Sequence, residues 1–157
     1  MIKLRWLEEP EEKREVSSLV LSQLPEWFGI REATEWYIEA SQHLPTLVAY
    51  LDGAAVGFLC LDETASSTVE IIVMGIIPKF HRQGIGRQLI LEAQAWSMAQ
   101  GYVYLQVKTL AESHPDRYYA MTREFYHSVG FVDVEVFDKL WNSEHPALQM
   151  ILKLDKK

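Results

Sequence analysis

Residues 67–100 hold a strand-to-helix junction that narrows the possible folds more than any other stretch of the chain. Ser67 to Ile77 is rich in β-branched residues and reads as a strand. Pro78 cannot donate to a ladder, so the strand stops there. Gly84 to Gln100 then reads as the best helix in the chain. Ile85, Leu89, Ile90, Ala93 and Trp96 share its apolar face, and Gly101 sits where a C-cap belongs. The connection is Pro78-Lys79-Phe80-His81-Arg82-Gln83-Gly84-Ile85-Gly86-Arg87. Its two glycines let a backbone approach a ligand closely. The first amides of the helix carry the positive end of its dipole, and with the glycines they form a site for a phosphate or pyrophosphate.

The local charge agrees. The formal net charge is −7, yet no acidic residue lies between Glu70 and Glu92. Lys79, Arg82, Arg87 and His81 all fall in that gap. Two commoner phosphate motifs do not fit. The Gly-x-x-x-x-Gly-Lys-Ser/Thr loop is absent. A dinucleotide fingerprint needs a third glycine where Leu89 stands, and a strand running straight into the turn, which Pro78 prevents. On the residues alone, a glycine-containing turn with solvated basic side chains remains the other reading.

The flanking sequence supplies the remaining elements. Residues 2–8 read as a first strand, followed by helices over Glu11 to Leu24 and Arg31 to Gln42. Thr46 to Leu51 is a strand, and Asp52-Gly53 is a two-residue hairpin signal. Val56, Phe58 and Cys60 alternate on the strand after it. Beyond the central helix come a strand over Tyr102 to Val107, a helix over Asp116 to Val129, and strands over 131–138 and 147–154. The order β, α, α, β, β, β, α, β, α, β, β implies a mixed sheet with helices on its faces, an α/β (α+β mixed) class. A chain of 157 residues suits one domain over 1–157. No basic-then-apolar leader opens it, no apolar run reaches ~20 residues, and Cys60 is the only cysteine, so the expectation is a cytoplasmic protein that does not enter a membrane. The acidic balance argues against nucleic acid as a partner.

The junction resembles the GNAT superfamily of N-acetyltransferases, whose cofactor motif is Gln/Arg-x-x-Gly-x-Gly/Ala at a strand–loop–helix boundary. The two glycines fall on Gly84 and Gly86, and the leading position falls on His81, a departure. A second patch, Phe125-Tyr126-His127-Ser128-Val129-Gly130-Phe131, is similar to the family's Phe-Tyr-x-x-x-Gly-Phe. The family often has Asn and Ala before it, where this chain has Tyr119 and Thr122. The resemblance implies a mostly antiparallel sheet of about six to seven strands with about four helices on its faces. It also implies acetyl-CoA as co-substrate, with no metal. His81, Arg82, Gln83, Gly84, Ile85, Gly86 and Arg87 would surround the pyrophosphate. Ile76 would pair its backbone with the pantetheine arm, and Tyr119 would stand in for the asparagine contact. A homodimer is compatible with it, although the residues do not fix the oligomeric state.

Acyl transfer from a thioester to an amine needs a neutral amine, a donor for the oxyanion and a proton for the departing thiolate. A lysine-like amine near pKa ~10.4 costs roughly 4–5 kcal/mol to deprotonate at pH 7. Glu70, fourteen residues before Gly84, occupies the place of the glutamate base in the histone-acetyltransferase branch. Tyr126 is the candidate acid, because a phenol can protonate or hydrogen-bond a thiolate. The plainer readings are a solvent-facing strand carboxylate and a core aromatic beside Phe125 and Phe131. Cys60 fits a core position, and His43, His81, His114, His127 and His145 show no metal-ligand spacing.

By the same resemblance, the first two helices and the last strands build the acceptor pocket. Trp27, Phe28, Trp36 and Tyr37 stand there among Glu26, Glu32, Glu35 and Glu39, with residues 141–146 as the other wall. That mixture suits a small-molecule or peptide amine through cation–π and charge contacts, and it equally describes an amphipathic helix with a solvated acidic face. A non-catalytic acyl-CoA-binding module and a binder of another phosphate ligand are the alternatives to the enzyme.

Overall fold

The structure, a computed structural model, describes residues 1–155. Its strands are β1 (Ile2–Leu7), β2 (Thr46–Leu51), β3 (Ala54–Ala65), β4 (Thr68–Ile76), β5 (Tyr104–Leu110), β6 (Val132–Asn142) and β7 (His145–Lys153). Its α-helices are α1 (Pro10–Ser22), α2 (Arg31–Ser41), α3 (Ile85–Ala99) and α4 (Arg117–Ser128), and a single 3₁₀ turn covers Pro78–Phe80. The strands form one mostly antiparallel sheet in the order β1-β2-β3-β4-β5-β7-β6. The expected class and element order both hold.

Two compact units divide the chain, Met1–Asp62 with Ile71–Ala95 and Glu63–Glu70 with Trp96–Lys157. In the first, β1 pairs antiparallel with β2 and β2 with β3. Asp52 and Gly53 have φ of 50° and 84°, the two positive values that a type I′ hairpin turn requires. Val16, Val20 and Leu21 of α1, and Leu24 just past its end, pack with Val48, Phe58, Cys60, Val73 and Ile77. The expected alternation of Val56, Phe58 and Cys60 is only half of β3's pattern. Every residue from Val56 to Leu61 is buried, as in a strand covered on both faces. Polar groups inside this unit are paired. Lys13 Nζ donates to the Leu44 carbonyl at 2.8 Å, and the Ser17 and Ser41 hydroxyls meet at 3.0 Å.

In the second unit β5 runs antiparallel to β7 from Tyr104 opposite Lys153 to Leu110 opposite Ala147. β6 lies on the far side of β7. The fifth strand starts at Tyr104 rather than Tyr102 because Tyr102 belongs to the end of α3. Its amide reaches the Ser97 carbonyl at 3.0 Å, and the Gly101 amide reaches Met98 at 3.0 Å. That pair of bonds is a Schellman motif, closed by Gly101 at φ 92°. β6 runs on to Asn142, beyond its expected end at 138, because the Asn142 side chain accepts from the Glu144 amide at 3.0 Å and makes the turn into β7. Asp116 caps α4 by accepting from the amides of Tyr118 and Tyr119 at 2.8 and 3.3 Å.

Candidate functional site

Along β4 the side chains alternate. Val69, Ile71, Val73 and Gly75 are buried, whereas Glu70, Ile72, Met74 and Ile76 are half-buried on the other face. Past Ile76 the 3₁₀ turn tightens the chain, with Phe80 and His81 amides donating to Ile77 and Pro78 carbonyls at 2.9 and 3.0 Å. Arg82 and Gly84 then take positive φ, 63° and 80°. For arginine this left-handed backbone carries a cost of order 1–2 kcal/mol, tolerated here to turn the loop into α3. The first helical bond runs from the Gln88 amide to the Gly84 carbonyl at 3.1 Å. The amides of Ile85 and Gly86 therefore have no carbonyl one turn back, and Gly84 offers no capping side chain. Arg82, Gln83, Gly84 and Arg87 are exposed, while Ile85 is buried and anchors the start of the helix. The result is a helix start whose first amides have no intrahelical acceptor, with two arginines and no carboxylate in the loop, which suits an anion.

His81 has a defined place in the loop. Its Nε2 lies 2.6 Å from the Ile76 carbonyl oxygen, so Nε2 carries the hydrogen and donates. The ring meets Trp27 edge-on with centroids 5.7 Å apart. One of the two lone pairs on the Ile76 carbonyl is thus taken by this chain itself. Sequence reasoning gave His81 only a position in a motif; nothing in its spacing signals a bond to Ile76.

Glu70 sits at the start of β4 in the second unit, with its side chain only 12% exposed. Its Oε1 accepts from Gln106 Nε2 at 2.6 Å and from Lys108 Nζ at 2.9 Å. Gln106 in turn accepts from Gln149 Nε2 at 2.9 Å. Neither the two partners of Glu70 nor Gln149 behind Gln106 was among the expected residues. The signal was present as Gln106 and Lys108, two positions apart on a strand whose other face is Leu105, Val107 and Thr109, with Gln149 in an equally apolar strand.

Tyr126 is buried in the same unit between Phe125 and Phe131, with ring centroids at 5.5 and 5.4 Å. Its carbonyl accepts from the Phe131 amide at 3.0 Å, which fixes the helix end. Tyr119 lies in the first turn of α4 under the Asp116 cap. Ile76 and residues 81–87 belong to the first unit, and Glu70, Tyr119 and Tyr126 to the second.

The aromatic region around α2 forms edge-on pairs, Phe28 with Tyr37 at 5.9 Å and Trp36 with Tyr37 at 5.5 Å. Trp36 stays 60% exposed. Of the nearby carboxylates, Glu35 pairs with Arg31 at 3.0 Å and Glu39 accepts from Gln42 at 3.0 Å. At the other end of the chain His114 and His145 stack at 5.6 Å. Cys60 is buried, and its thiol is pushed up to about 12 by that burial, against the smaller effects of Thr46 and Lys13. Such a thiol is a core side chain, not a nucleophile. Among the described residues no group of three or more His, Cys, Asp or Glu side chains is placed to hold a metal ion. No described helix is long and apolar enough to cross a membrane.

Residues 5–131 match the model of the acetyltransferase (GNAT) family. No curated protein matches the sequence. Among solved structures, a GNAT-family protein from Desulfovibrio desulfuricans superposes with a TM-score of 0.85 at 18% identity, covering 99% of this chain and 100% of its own. An IAA acetyltransferase from Bacillus cereus gives 0.74 at 20% identity, covering 98% and 100%. The Salmonella typhimurium protein yncA, solved with its cofactor acetyl-CoA, gives 0.68 at 18% identity, covering 99% and 95%.

Proposed function

The chain belongs to the acetyltransferase (GNAT) family, and from that membership we propose that it moves an acetyl group from acetyl-CoA to a primary amine of a small molecule or peptide. The observation that carries the proposal is the strand–loop–helix at residues 76–88, with a helix start at Ile85 and Gly86, the exposed Arg82 and Arg87, and no carboxylate from 71 to 91. Those groups suit the CoA pyrophosphate. His81, Gln83 and Gly84 complete the loop around it. Ile76, at the end of β4, pairs its backbone with the pantetheine arm, and Tyr119 supports the cofactor from α4.

The reaction follows from the residue types. Glu70 takes a proton from the acceptor ammonium, directly or through a water. The neutral amine attacks the thioester carbonyl, forming the C–N bond and a tetrahedral oxyanion. Collapse breaks the C–S bond, and Tyr126 donates its phenolic proton to the departing thiolate. The second amine proton then leaves to solvent. Each general acid or base contributes about 10²–10⁴-fold. The aromatic and acidic residues around Trp27, Phe28, Trp36 and Tyr37 suit a cationic acceptor.

The test is thiol release from acetyl-CoA with a panel of amines: spermidine, kanamycin and a lysine-containing peptide. Turnover with at least one is expected. Glu70→Gln and Tyr126→Phe, folded as the wild type, should each lower kcat by about 10²-fold or more. Full turnover across pH in both variants would remove the two assignments, and no thiol release with any amine would remove the enzyme.

A further inference from the structure

Glu70 is held by one oxygen only. Gln106 Nε2 and Lys108 Nζ converge on Oε1, at 2.6 and 2.9 Å, and among the described residues Oε2 receives no hydrogen bond. We infer that Gln106 and Lys108 are positioning residues, which fix the Glu70 carboxylate through Oε1 so that Oε2 alone faces the proton to be removed. The inference rests on the proposed role of Glu70 as base.

The arrangement is specific. Gln106 and Lys108 lie two residues apart on β5, so their side chains leave the same face of the sheet. Gln149 lies opposite Lys108 on β7, in register. The side chains form a row across three strands: Glu70 on β4, Gln106 and Lys108 on β5, Gln149 on β7. Gln106 is only 7% exposed, and a buried amide is costly unless both of its ends are bonded. Both ends are bonded here, since Gln149 donates to its oxygen while its nitrogen donates to Glu70. That chain dictates which end of the Gln106 amide faces the carboxylate. A donor is presented to Oε1, and the reverse orientation would set oxygen against oxygen. Lys108 adds a second, charge-assisted bond to the same oxygen, with its side chain 27% exposed.

A row that served only to fill the sheet would need none of this chemistry, because apolar side chains of similar size satisfy a strand interior at less cost. What the polar row supplies is one orientation. A base displaced by about 1 Å can lose ~10²-fold in rate, so orientation has a measurable value.

The experiment is a double-mutant cycle in kcat and KM, with acetyl-CoA and the amine of the panel that turns over fastest. Gln106→Leu and Lys108→Met are each made alone and with Glu70→Gln, and Tm is checked for every protein. The expected result is a 10- to 100-fold fall in kcat for either single variant and an unchanged KM for acetyl-CoA. In the Glu70→Gln background, neither should lower kcat further by more than twofold. Lys108→Arg, which keeps the charge, should recover part of what Lys108→Met loses. Two results would overturn the inference while leaving the Glu70 assignment standing. One is normal kcat in Gln106→Leu and Lys108→Met when Glu70→Gln is impaired. The other is an equal, additive loss in the Glu70→Gln background, which marks a purely structural row. Full turnover in Glu70→Gln itself would instead sink the base assignment and the inference with it.

Discussion

Two glycines of this chain allow the anion loop to be tested against a matched control. Gly84 at φ 80° and Gly101 at φ 92° are both left-handed, and a Cβ built on either meets nothing within 4 Å. Alanine at either position therefore carries the same penalty, about 1–2 kcal/mol for an L-residue in that backbone region, with no internal clash added. At roughly 2–4 °C per kcal/mol for a domain of this size, each variant should melt about 2–8 °C below wild type. The two differ in what lies outside the chain. Gly101 closes the C-terminus of α3, where no ligand is expected. Gly84 directly precedes Ile85 and Gly86, so a methyl group there stands in open space beside the proposed pyrophosphate site.

The assay is thermal unfolding with and without CoA or acetyl-CoA. A ligand at 100 times its Kd adds ~2.7 kcal/mol, or about 5–11 °C. Wild type and Gly101→Ala should show that full shift, each from its own baseline. Gly84→Ala should lose about half of it or more at the same ligand concentration. A tenfold loss of affinity lowers the ligand term by about 1.4 kcal/mol, or roughly 3–6 °C, which is readily measured. Equal shifts in all three proteins would refute the loop as the phosphate cradle. No shift in any of them would refute CoA as the ligand.

Two further expectations concern stability alone. The Cys60 thiol ionises near its ordinary value of 9.0 in the unfolded chain but only at about 12 in the fold, so the stability it contributes is intact below pH 9 and is lost as pH rises toward 12. Between pH 9 and 10.5 wild type should lose about 2 kcal/mol that Cys60→Ala does not, measured as the difference in urea-unfolding free energy; parallel curves would contradict the burial argument. Asp116→Ala removes both capping bonds of α4 and should cost about 1 kcal/mol, a fall of about 2–4 °C in Tm, and an unchanged Tm would show that the cap carries no stability.

How much of the fold was legible depended on whether a local signal settled the boundary. Thr46–Leu51 followed by Asp52-Gly53 is a strand ended by its own turn residues, and the structure places both where the pattern does. Tyr102 was misplaced by two residues because its aromatic β-propensity points to a strand while its amide is committed to the end of α3. Local propensity cannot register a backbone bond that spans a helix end. The pairing of β5 with β7, rather than with its neighbour β6, is a long-range choice with no signature in either strand.

The candidate site divides along the same line. The anion loop was legible because its chemistry is contiguous: glycines, arginines and a helix start lie within ten residues, and their main-chain donors follow from helix geometry whatever the side chains do. Glu70 was legible only as a position, because its surroundings come from residues thirty-six to seventy-nine places away in the sequence. Gln106 and Lys108 reach it, and Gln149 reaches Gln106, only once β4, β5 and β7 lie side by side. A strand pattern says which face a residue takes, not what stands across from it. The polar residues in otherwise apolar strands are therefore the part of the sequence that most needed the fold to be read. Two of them, Gln106 and Lys108, converge on a single carboxylate oxygen, a contact that no strand pattern announces.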